Sequence, residues 1–201
     1  MIALVDYGVG NLHSVAKALR EVGARVEITS VPEVILQASA VVLPGVGAFG
    51  DGMAGLRNRG LITALREVVR RGVPLLGICL GMQLLFQESE ERGRHAGLGF
   101  LEGRVVTFSP APGHKVPHTG WNQLWPTREN PLLHGIHSGE FVYFNHGYYC
   151  LARPEDTLAE TDYIVRYPSV VGKGRVYGIQ FHPEKSQRVG LHILRNFVER
   201  G

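Results

Sequence analysis

The chain has 201 residues, enough for one domain with a full hydrophobic core. With 21 Lys and Arg against 18 Asp and Glu, the formal charge is only +3, and no long basic run occurs, so nucleic-acid binding is excluded as the main activity. No apolar stretch is long enough to span a bilayer, Met1 leads straight into a strand-like run, and Cys79 and Cys150 lie far apart, a pattern that predicts a reducing, cytoplasmic setting.

The first half alternates strand and helix signals. IALVD (2–6) reads as a buried strand, followed by helical spacing over 12–22 that Gly23 can end. ARVEI (24–28) is the next strand, 32–38 a short helix, and AVVL (40–43) a third strand closed by PGVG. The stretch 52–71 reads as one long helix stopped at Gly72, VPLLGI (73–78) as strand four, and 80–88 as the helix after it. Repeated units of this kind predict a parallel sheet covered on both faces. After Gly103 strands and turns dominate: RVVTF, WNQLW, EFVYFNHGYYCLA (140–152), and two runs within 163–180 around Gly172-Lys173-Gly174. A helix over 188–199 closes the chain. The expected class is α/β: a mostly parallel central sheet flanked by helices, with an antiparallel strand-rich extension in the second half, all in one domain spanning 1–201.

The strand end GICLG places Cys79 in the G-x-S-x-G form, with sulfur replacing oxygen. Such a turn pushes a nucleophile out of the sheet, and Gly77 and Gly81 are needed because a Cβ there would strike neighbouring backbone. The sulfur would lie near a helix N-terminus, with the Leu80 amide pointing to where an oxyanion forms. A lone cysteine is as readily a buried core residue, so the reading depends on finding a base. GIQFHPEKS (178–186) offers one. Another strand runs into His182-Pro183-Glu184, and in extended backbone positions two apart share a side. Glu184 can then hold one imidazole nitrogen and leave the other for the thiol proton. Pro44-Gly45-Val46-Gly47, at a third strand end, can present backbone N–H groups to an oxyanion. Its two glycines also permit a peptide rotation at Val46 that makes or breaks such a hole.

These motifs, in this order over nearly the whole chain, resemble the class I glutamine amidotransferase family with a Cys-His-Glu triad. PGVGAF, GICLGMQLLF, KVPHTGWN (115–122) and FHPEKS are similar to the branch that feeds ammonia to a separate cyclase subunit in histidine biosynthesis. The resemblance implies a triad of Cys79, His182 and Glu184. It further implies an oxyanion hole from Val46, Gly47 and Leu80, and L-glutamine as substrate, held by Gly47, Gln83, Gly147 and Tyr148. Trp121, Asn122 and Lys185 would face the cyclase partner in a heterodimer. No metal or organic cofactor is implied. One departure is local: the family usually has Phe-Val-His-Ser-Tyr where this chain has Phe144-Asn145-His146-Gly147-Tyr148, which removes a hydroxyl but leaves the backbone.

Other readings of the residues are weaker. Gly8-Val9-Gly10 after a strand suggests a dinucleotide fingerprint, but His13 occupies the third glycine position. The pairs His114/His118 and His134/His137 lie among Pro and Gly, without the spacing of a metal site. Cys150 reads as a cysteine without chemistry and His146 as structural. A stand-alone cysteine hydrolase or peptidase with the same elbow is the alternative function, and an inactive interaction module a third. The chain carries no phosphate cradle or second domain to accept ammonia, so an acceptor must come in trans.

Overall fold

The structure, a computed structural model, describes residues 1–201. Five short strands form its parallel half: the half-exposed edge strand β2 (Val26–Thr29) and four strands buried on both faces, β1 (Ile2–Val5), β3 (Ala40–Leu43), β4 (Leu75–Ile78) and, about a hundred residues after β4, β13 (Val176–Ile179). Alternation along the strands sends side chains to opposite faces. Leu4, Val42, Leu76 and Ile78 pack on one side with α1 (Leu12–Glu21) and α6 (Gln187–Arg200). Val5, Val41, Leu43 and Leu75 pack on the other with α2 (Pro32–Gln37), α3 (Phe49–Asn58), α4 (Leu61–Arg70) and α5 (Leu80–Leu84).

The full sheet has nine strands in the order β2-β1-β3-β4-β13-β12-β11-β8-β9. Its second part is antiparallel and is built from β8 (His118–Pro126), β9 (Glu140–His146), β11 (Thr157–Tyr163) and β12 (Val165–Lys173). A separate four-stranded sheet joins β10 (Tyr148–Ala152), β7 (Leu101–Thr107), β5 (Phe86–Ser89) and β6 (His95–Ala96), in that order.

The expected α/β class with an antiparallel extension is what the chain adopts, and four local expectations are corrected. The single helix over 52–71 is two helices, because Gly60 takes a left-handed φ of 67° and ends the first. The first of them also starts earlier, at Phe49, whose amide is capped by the Glu91 carboxylate at 2.8 Å. The helix expected over 80–88 stops after five residues, because Phe86–Ser89 pairs with β7 and β6. That pairing is a tertiary preference that overrides the helical spacing. The run 140–152 is not one strand. Gly147 breaks it, and the two parts enter different sheets. Thr157–Tyr163, which carries no marked apolar alternation, is a strand paired to β12. The hairpin at Gly174 forms as expected, with Lys173 opposite Val176.

Candidate active site

Parallel neighbours end at the same edge of a sheet. Because β4 lies between β3 and β13, the segments that follow these strands converge: Pro44–Gly47 after β3, Cys79 after β4 and Gln180–Glu184 after β13. Register makes the meeting tight. Ile78 is opposite Ile179, and the Cys79 amide donates to the Ile179 carbonyl at 2.8 Å.

Cys79 has φ 53° and ψ −110°, a conformation that non-glycine residues rarely adopt. Its glycine frame is steric. A Cβ on Gly77 would lie 2.6 Å from the Gly81 carbonyl oxygen, and one on Gly81 would lie 1.8 Å from that of Leu43. The elbow can therefore turn only if both positions lack side chains. Cys79 is 5% exposed. The helix behind it is a single short turn, so the dipole expected to favour a thiolate is correspondingly small.

His182 is extended (φ −96°, ψ 100°), as the following proline requires. Its Nδ1 lies 3.0 Å from Glu184 Oε1, and both side chains are almost wholly buried. Three contacts hold its backbone: its amide donates to the Tyr143 carbonyl at 2.9 Å, and its carbonyl accepts from Ser186 Oγ at 2.6 Å and from the Lys185 amide at 3.1 Å. Nε2 makes no hydrogen bond. Burial works against the charged ring, but the Cys79 sulfur and the Glu184 carboxylate outweigh it and raise the imidazole to about 10. The sulfur acts on the ring both as a hydrogen-bond acceptor and through its charge, although Nε2 and the sulfur are not aligned for a closed hydrogen bond in this conformation. Such a ring is an imidazolium at neutral pH.

The loop after β3 is anchored from within. The Tyr7 hydroxyl donates to the Pro44 carbonyl, and a Cβ on Gly45 would meet that hydroxyl at 2.3 Å. Burial, with the nearby Cys79, pushes the Tyr7 phenol far up, so it remains a donor. Gly47 has φ 110°, and Val46 is exposed. The Leu80 amide, expected to face an oxyanion, instead donates to the Gly45 carbonyl at 3.3 Å. The two donors of the expected hole are thus not both open in this conformation, because the Gly45–Val46 peptide presents its oxygen to Leu80.

Gln83, buried beneath the elbow, donates through Nε2 to the Tyr148 carbonyl at 3.2 Å and to Gln180 Oε1 at 3.2 Å. This joins the expected substrate residues Gln83, Gly147 and Tyr148 to the cysteine side of the site. A Cβ on Gly147 would touch only Val116 and Pro117, at 3.8 and 3.9 Å, so the missing serine leaves room rather than distortion. His146 Nδ1 donates to the same Tyr148 carbonyl at 2.7 Å. Burial, with smaller effects from His118 and His182, drops His146 to about 3, and burial drops His118 to about 4. Both rings are neutral and form a polar cluster with Tyr167 that braces the backbone. His114, His134 and His137 are exposed, and no three His, Cys, Asp or Glu side chains are grouped to hold a metal ion. Cys150 is fully buried, and burial raises its thiol.

Trp121 and Lys185 meet on one surface through Tyr143. The Trp121 ring stands edge-on to Tyr143 at 6.0 Å, and Lys185 Nζ lies 5.7 Å from the Tyr143 centroid. Phe141, on the same strand face as Tyr143, is 52% exposed and extends this patch. Asn122, expected beside Trp121, is one residue along the strand and therefore points to the other face. Its amide donates to the Asp162 carbonyl at 2.8 Å and reaches His118 Nε2 at 3.4 Å. Gln180, Tyr7, Ser186 and Tyr143 were not legible as site residues from motifs. For Gln180 the signal was present, since it lies two positions before His182 and shares its side of the strand.

The family model for glutamine amidotransferase class-I matches residues 3–200. The chain belongs to the class I glutamine amidotransferases. It is 54% identical over 199 residues to the imidazole glycerol phosphate synthase subunit HisH of Archaeoglobus fulgidus, covering 98% of both chains. It is 52% identical to the protein of that name from Moorella thermoacetica, covering 98% of this chain and 94% of that one. Among solved structures, an amidotransferase described as a glutamine amidotransferase superposes with TM-score 0.77 at 24% identity, over 99% of this chain and 98% of that one. The glutaminase domain of Trypanosoma brucei CTPS superposes with TM-score 0.68 at 15% identity, over 100% of this chain and 94% of that one. These last two likenesses concern the amidotransferase fold alone. No helix of the amidotransferase is long and apolar enough to cross a membrane.

Proposed function

We propose that residues 1–201 form one glutaminase domain, the glutaminase subunit of imidazole glycerol phosphate synthase, with Cys79, His182 and Glu184 as its catalytic triad. It hydrolyses L-glutamine and passes the ammonia to a cyclase partner, which makes imidazole glycerol phosphate and AICAR in histidine biosynthesis. The near-full-length identity to subunits of that name carries the reading of the function. The convergence of Cys79 with the His182–Glu184 pair at adjoining parallel strand ends supports the reading of the site. The subunit works in the cytoplasm, in keeping with two buried cysteines that remain free thiols.

The steps follow from the geometry. With its proton already on the His182 imidazolium, the Cys79 thiolate attacks the glutamine carboxamide carbon while the carbonyl electrons move to oxygen. Glu184 holds the imidazolium in orientation through Nδ1. As the tetrahedral intermediate collapses, the C–N bond breaks and His182 returns the proton to nitrogen, releasing ammonia. Water, deprotonated by His182, then cleaves the thioester to glutamate and free thiol. Gln83 and the backbone at Gly147 and Tyr148 bind the substrate. The patch of Trp121, Tyr143 and Lys185, beside the triad, receives the cyclase in a one-to-one heterodimer.

The oxyanion hole is the regulated part. One rotation of the Gly45–Val46 peptide withdraws the carbonyl from Leu80 and turns the Val46 N–H inward, so both donors open in a single movement. Each missing donor removes ~10²–10³ in rate. Partner and acceptor binding then favour the open loop. The test is steady-state glutamine hydrolysis by the chain alone, with the cyclase, and with cyclase plus acceptor ligand. Rates should rise in that order, and equal kcat in all three would overturn the switch. In the assembled complex Cys79→Ser should abolish glutamine-dependent synthesis and spare ammonia-dependent synthesis. Retained glutamine-dependent turnover would remove Cys79 as nucleophile.

A further inference from the structure

Gln180 is fully buried, and its chemistry is unusual for that position. A primary amide with no exposure must find partners for its donors and its acceptor, or it destabilises the core. Its Oε1 accepts from Gln83 Nε2 at 3.2 Å, and its backbone amide donates to the Ser169 carbonyl at 2.9 Å. The only acceptor that its own Nε2 reaches is Cys79 Sγ, at 3.7 Å. A neutral thiol accepts hydrogen bonds weakly, whereas a thiolate accepts them strongly. An apolar side chain in this seat would avoid burying an amide for so little return. The arrangement is consistent with a group whose partner is an anion.

We propose that Gln180 is a further catalytic residue of this site, a side-chain donor that holds the Cys79 sulfur as thiolate and aims it before substrate arrives. Its amide is oriented by Gln83, and the orientation runs both ways. Both Gln83 amide hydrogens are committed, one to Gln180 and one to the Tyr148 carbonyl. Gln83 Oε1 is therefore the atom left for the ligand, and it selects a donor, an NH group of glutamine. The pair thus divides the work: Gln180 serves the nucleophile, and Gln83 offers an acceptor to the substrate.

The proposal rests on Cys79 being the nucleophile, so its test reads the sulfur directly rather than through glutamine turnover. The measurement is the rate of iodoacetamide labelling of Cys79 against pH, in wild type, Gln180→Met and Gln180→Glu, each as the complex with the cyclase. Methionine keeps the volume and removes the donor; glutamate keeps the shape and places a carboxylate against the sulfur. Co-elution with the cyclase and an unchanged circular dichroism spectrum report that each variant is folded. Labelling at neutral pH should fall about tenfold in Gln180→Met, the scale of one hydrogen bond to a charged group, and further in Gln180→Glu. The labelling curve of each variant should move to higher pH, and the glutaminase kcat should fall with little change in KM. A purely structural Gln180 would leave the pH curve of the labelling in place. Identical curves for wild type and a folded Gln180→Met complex would overturn the proposal even if glutamine hydrolysis were intact. A loss confined to KM would assign Gln180 to substrate binding instead.

Discussion

Gly81→Ala tests the steric logic of the elbow with one methyl group. Its Cβ would sit 1.8 Å from the Leu43 carbonyl oxygen and 2.8 Å from the Leu43 carbonyl carbon, both backbone atoms that no side-chain rotation can clear. Carbon and oxygen approach no closer than about 3.3 Å in weak contacts, so the start of α5 must retreat from the end of β3 by roughly 1.5 Å. That retreat carries with it the Leu80 amide and the Cys79 sulfur and pulls against the Gly45 carbonyl. Misplacing a catalytic group by about 1 Å can lower the rate by a factor of ~10², and overpacking destabilises by about 1–3 kcal/mol. For a chain of this size each kcal/mol lowers Tm by about 2–4 °C. The expected outcome in the complex is a fall of at least ~10² in glutamine-dependent kcat/KM, with a lower Tm and ammonia-dependent synthesis retained. The assays are coupled synthesis with each nitrogen source and a thermal melt of the isolated subunit. Wild-type glutamine-dependent turnover in Gly81→Ala would refute the steric account of the glycine frame.

Three further outcomes follow from the site. Glu184→Gln removes one of the two groups that lift His182 to about 10, so the alkaline limb of the glutaminase pH profile should move to lower pH. Because the folded His182 lies above its ordinary 6.5, the stability from this pair is fully present below that pH and lost as pH rises toward about 10. The wild type's Tm advantage over Glu184→Gln should therefore shrink across that window, and a constant difference would contradict the pairing. Gly147→Ser, whose new Cβ meets nothing closer than 3.8 Å, should fold with an unchanged Tm and leave kcat near wild type; a large loss of either would show that the glycine is required. Lys185→Glu places a carboxylate beside the half-buried Tyr143 and the exposed Trp121, and should weaken cyclase association or coupling with little effect on Tm; an unchanged dissociation constant and unchanged coupled turnover would take Lys185 out of the interface.

Much of the candidate site's geometry was legible in the sequence by itself, because it is encoded in short stretches whose conformation is local. GICLG specifies a turn that only glycines permit, and His-Pro-Glu places two side chains on one side of a restrained backbone. The alternating strands and helices of the first half announce their parallel sheet by period alone. What the sequence did not contain was adjacency. That β13 lies against β4, a hundred residues away, depends on which hydrophobic faces cover one another, and this pairing brings His182 and Gln180 to Cys79. Phe86–Ser89 is a strand rather than the end of a helix only because β7 is there to pair with it. The Leu80 amide faces the Gly45 carbonyl rather than an open hole because a peptide orientation, free in the chain, is settled by contacts from Tyr7 and the elbow. Local stereochemistry is a property of neighbouring residues, and sequence carries it directly. Hydrogen bonds between distant segments form only after the core has chosen its neighbours, so tertiary structure alone decides them.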